Sequence, residues 1–174
     1  MAIEREKFLE ILRDSYSAYY NVVDTDAPAD IPLAFRADYF SRSEKYWLNK
    51  KNVIWGNETN EYAYIFSAPE FTKELIEKCT DFALDDGLPR VKPHKEHQYT
   101  NVKVVFIADR LDEKEVKPLT KKEFSKSYRF SLHGFTNLLS GAVDLETQRT
   151  YTNRAGHSLE PFFNKLFAAR EEKT

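Results

Sequence analysis

Two imidazoles three residues apart, His94 and His97, stand within the run Arg90-Val91-Lys92-Pro93-His94-Lys95-Glu96-His97. Five of those eight side chains are cationic or can become so. Two chemistries use such a pattern. Zinc takes imidazole nitrogens at about 2 Å, usually with four ligands in all. Here the further donors are distant: His133, His157 and the thiol of Cys79. The His94–His97 spacing is shorter than a finger pattern, and Pro93 opposes a helix that would align the pair. No metal is assigned. The second chemistry is anion binding. Arg offers a planar fork and Lys a point charge, and both suit phosphate. The ligand-binding set read from the sequence is Arg90, Lys92, His94, Lys95, His97, Arg129 and His133.

Other reactive groupings are incomplete. Cys79 falls on the apolar stripe of a helical pattern with Leu75 and Phe82, which makes it a buried, inert thiol. Ser131 and His133 share a strand face but lack a nucleophile elbow. With 5 Gly in total there is no glycine-rich phosphate loop. Lys103, Lys121, Lys122 and Lys126 would extend a basic strip, yet Asp112, Glu113, Glu115 and Glu123 interrupt it, which argues against nucleic acid. Catalysis stays undecided and no cofactor is legible.

The elements that must hold these residues follow from hydrophobic periodicity. Residues 3–20 repeat Phe8, Leu12, Tyr16 and Tyr19 at helical spacing. Residues 24–32 break the helix with three Asp and two Pro. Residues 33–67 read as an antiparallel meander with turns at 49–52 and 56–60. Ser67-Ala68-Pro69-Glu70 has the form of a capping box, and Gly87 that of a left-handed helix end. After the basic loop, residues 99–108 are apolar on both faces, the mark of a covered central strand. A short helix over 112–119 follows. Alternation predicts a strand over 127–133, with Tyr128, Phe130 and Leu132 on one side and Arg129, Ser131 and His133 on the other. A hairpin at 138–152 and a helix from about Ser158 close the chain.

The order helix, three or four strands, helix, strand over residues 3–108 resembles the restriction-endonuclease-like nucleases. That resemblance implies an acid followed by acid-x-Lys on the next strand, with carboxylates holding a metal and Lys supporting the attacking water. Asp38 matches the first acid. Glu58-Thr59-Asn60 and Glu61-Tyr62-Ala63 lack the Lys, and Glu44-Lys45 places it one residue early.

Bulk properties bound the rest. One domain over 1–174 is expected, with 41% apolar residues and 14% aromatics to fill its core. A net charge of −2 makes any polyanion contact local. A single cysteine fits a reducing cytoplasm, and the make-up is that of a small bacterial protein. The longest apolar run, 104–108, is far short of the roughly 20 residues that span a bilayer, so no membrane is expected. The fold expected is α+β: a largely antiparallel sheet of five to seven strands packed by N-terminal, central and C-terminal helices. The function expected is a non-catalytic binding or interaction module with an anion-binding loop, its partner a phosphate-bearing ligand or a protein. The alternative is a metal-dependent hydrolase or nuclease built on the His residues and nearby carboxylates.

Overall fold

β4 (His97–Ala108) organises the molecule because both of its faces are apolar. Val102, Val104 and Phe106 enter one core, and Val105 and Ile107 enter the other; all five are fully buried. The computed structural model describes residues 4–46 and 53–171. Within them, one sheet of seven strands carries helices on both faces.

The chain begins with α1 (Arg5–Ser17), followed by β1 (Asn21–Val23), β2 (Leu33–Tyr46) and β3 (Val53–Ala68), an antiparallel meander. α2 (Lys73–Gly87) then crosses to β4, and α3 (Glu113–Lys121) crosses on toward β6 (Phe135–Asp144). β5 (Ser125–Ser127) and β7 (Arg149–Thr152) both pair with β6, and α4 (Leu159–Glu171) ends the chain. The path through the sheet is β1-β2-β3-β4-β6-β5. α2 and α3 cover the face of Phe106, and α1 and α4 cover the face of Ile107.

The α+β class stands, but the sheet is mixed. β3–β4 and β4–β6 are parallel pairs. The cause is local: each connection contains a helix, and a helical crossover returns the chain in the same direction. Four further expectations differ. β3 runs unbroken through the turn predicted at 56–60. α2 starts after Thr72, whose hydroxyl accepts from the Leu75 amide, and not at Ser67. Gly87 is right-handed, with φ −77°. Its lack of a side chain serves packing instead, since a Cβ there would lie 3.1 Å from Val102. Residues 128–133 are a turn, not a strand. The turn predicted at 49–52 lies outside the described residues.

Between the stretches of β6 that pair with β5 and β7, Asn153 fills the gap. Its amide donates to the carbonyls of Leu138 and Lys122, and its Oδ1 accepts from the amides of Ser140 and Gly156. All four capacities of this buried side chain are used.

Cys79 is fully buried on α2, beside Ile76 and Ala83, and burial pushes its thiol up to about 12. Native-state modification therefore requires opening of the core. Reaction with a thiol reagent at neutral pH is expected to be at least about a thousandfold slower than in denaturant. A native rate equal to that of a free thiol would contradict the burial.

Candidate anion-binding site

The amino ends of β4 and β6 lie side by side, and the loops entering them meet there. His97 joins the two loops. Its Nδ1 donates to the carbonyl of His133 at 2.7 Å, so its Nε2 is the acceptor for the Thr100 hydroxyl at 2.9 Å. This imidazole is 3% exposed, a buried ring with both nitrogens engaged. Gly134 packs on the same point with φ +79°, and a Cβ there would fall 2.4 Å from the Gln98 carbonyl. Only glycine permits that approach.

His94 is held by its own loop. Its Nδ1 accepts from the Glu96 amide at 3.2 Å, which leaves Nε2 to donate to Glu58 at 2.6 Å. Arg42 from β2 binds both Glu58 and Glu96, so these two carboxylates are covered by cations. The His94 and His97 rings are 6.4 Å apart, with all four nitrogens occupied. Among the described residues no group of three His, Cys, Asp or Glu is placed to hold a metal.

Lys95, Arg129 and His133 lie on the two loops joined at this base, near enough for both cations to act on the His133 ring. Lys95 and Arg129 are exposed and form no ion pair among the described residues. His133 has a pKa below the ordinary histidine value. Desolvation is the first cause, followed by the positive field of Arg129, His94, Lys95 and His97. Lys126 adds a cation 5.6 Å from the Tyr128 ring. Lys92 is exposed on the same loop and touches none of these groups.

Arg90 does not belong to the cluster. Its guanidinium lies 2.5 Å from Asp38 and 3.8 Å from Asp86, and stacks 3.9 Å over the Tyr62 ring. Arg36 reaches both of the same carboxylates. Asp38, the first acid of the nuclease resemblance, is thus held by two arginines. Glu61 is held by Lys103. Sequence spacing placed Arg90 beside the basic loop, but its partner Asp38 is on β2, a pairing that only the folded sheet creates.

The turn at 128–134 has an unusual backbone. Arg129, Phe130 and Ser131 are consecutive left-handed residues, with φ of 47°, 55° and 68°. Each such residue costs about 1–2 kcal/mol. The turn is closed by His133 N–H to the Tyr128 carbonyl and Tyr128 N–H to the Gly134 carbonyl. Phe130 and Leu132, expected to share the apolar side of a strand, instead lie on this turn, 98% and 74% exposed. No turn-forming pair marks this tip except Gly134, which lies at its far end.

The described fold lies almost wholly inside one family match, residues 4–165, to "Domain of unknown function (DUF8052)". The chain belongs to that family. No curated protein and no solved structure matches it. Among the described residues, no helix is long and apolar enough to cross a membrane.

Proposed function

We propose that this chain is a non-catalytic binding module that takes a phosphate-bearing anion between the 92–97 loop and the 128–134 turn. The observation that carries this reading is the His97–His133 bond, which ties together two loops bearing Lys95, Arg129 and His133, the two cations exposed and without an ion pair among the described residues. A preformed cationic site of this kind binds without first breaking its own ion pairs. A lone buried thiol fits a cytoplasmic setting. The ligand is then a phosphate-bearing molecule or a protein that displays one.

Sulfate keeps its charge across the neutral range and is the simplest probe. Titrated into the protein, it is expected to shift the amides of 92–97 and 128–134. The Lys95→Gln/Arg129→Gln variant should weaken that response by about three- to tenfold. Binding favours the imidazolium, and the free His133 is biased toward the neutral form. Sulfate affinity should therefore rise as pH falls below about 6.5. Shifts that cluster elsewhere, or an affinity that falls with acid, would overturn the reading.

A further inference from the structure

The tip beyond the cationic cluster carries two apolar side chains that the fold leaves uncovered. Phe130 is 98% exposed and Leu132 74% exposed, and both lie within the left-handed turn. An apolar side chain alone on a surface is ordinary. Two on one short tip, on a backbone held in an unfavourable conformation to present them, are not. The turn is also tied down, through the Gly134 contact and the His97–His133 bond, so its projection is fixed. Around its base stand Arg129, Lys95, Lys126 and His133.

We infer that this tip docks on an anionic phospholipid surface, with Phe130 and Leu132 entering the interface and Lys95, Lys126 and Arg129 meeting the headgroup phosphates. The inference rests on the anion-binding reading and names the source of the anion. Three observations favour a lipid surface over a protein. Phe130 and Leu132 stand out at 98% and 74% exposure, so neither is sunk in a groove that would seat a partner's side chain. Its exposed apolar residues stand beside cations, the combination with which a monotopic contact meets acyl chains and headgroup phosphates. With an overall charge of −2, no whole-protein field draws the molecule to an anionic surface, and local cations such as these must supply the attraction. Surface docking of this kind needs no spanning helix.

The full chain is tested by sedimentation with vesicles of equimolar phosphatidylglycerol and phosphatidylcholine, and with phosphatidylcholine alone. Binding is expected to the anionic vesicles only, and to weaken with salt. Phe130→Ala/Leu132→Ala should lower partitioning by at least about tenfold, and Lys95→Gln/Arg129→Gln by about tenfold. Both variants alter exposed side chains, and a wild-type amide spectrum outside the tip confirms their folding. Sulfate shifts at 92–97 and 128–134 without vesicle binding would overturn the lipid inference and leave the anion reading standing. Absence of both would end both. Vesicle binding that ignores Phe130 and Leu132 would overturn the insertion. So would a tip-dependent affinity for single-stranded polynucleotide, or tip-dependent self-association, in place of vesicle binding.

Discussion

Phe106→Ala is expected to lower the unfolding free energy by about 3–5 kcal/mol. Phe106 is fully buried on the central strand. Its ring stacks on Phe66 at 5.3 Å and meets Phe71 edge-on at 5.1 Å. Those neighbours come from β3 and from the segment before α2, so truncation opens a cavity at a junction of three chain segments. The sheet on either side is parallel and covered by helices, and cannot collapse into the void without moving a crossover. Phe106→Leu keeps most of the volume and should cost less than half as much. Urea unfolding of the two variants checks the order. A loss below about 1 kcal/mol for Phe106→Ala would mean the strand is not central.

That central strand was legible because residues 104–108 are apolar on both faces, and only a covered strand tolerates that. Its parallel partners were written in the same text, as helical periodicity between strands. That signal concerns direction, which no property of a single strand reveals. β1 and β5 have three residues each, too few for any period to register. The turn at 128–133 misled for the opposite reason. Tyr128, Phe130 and Leu132 alternate as a strand should, but backbone left-handedness leaves no mark on composition. For the candidate site, the cations were visible and their partners were not. Arg90 is claimed by Asp38 and His94 by Glu58, and both carboxylates arrive from other strands. Lys95 and Arg129 keep their charges open because, among the described residues, no carboxylate pairs with them.

On the opposite face, Lys103 and Glu61 form a buried pair whose loss should be as costly and far more dependent on pH. Lys103 is 8% exposed, with its Nζ 2.8 Å from Glu61 Oε2 and 3.3 Å from the Tyr20 hydroxyl. Tyr20 donates to the same carboxylate, and Asn101 donates to its other oxygen. Desolvation pushes the Glu61 pKa up, but Lys103, Tyr20 and Asn101 together outweigh it and hold it below the ordinary value. A depressed carboxylate contributes stability that is present above its unfolded pKa, about 4.3, and lost as pH falls through the folded value. Lys103→Met removes the largest part of the compensation and leaves a largely buried carboxylate with Tyr20 and Asn101 as its donors. The expected cost at about pH 7 is about 3–5 kcal/mol. The sign of the acid response should then invert. With only Tyr20 and Asn101 left to oppose it, desolvation raises the Glu61 pKa, the folded state binds the extra proton, and the variant gains stability as pH falls where the wild type loses it. Lys103→Met/Glu61→Gln removes both charges and should recover most of the loss, with this component of the acid dependence gone. Urea midpoints for the three proteins between about pH 7 and about pH 3 separate these outcomes. If Lys103→Met destabilises equally at both ends of that range, Glu61 is solvated by water and not by its lysine, and the pair contributes packing alone.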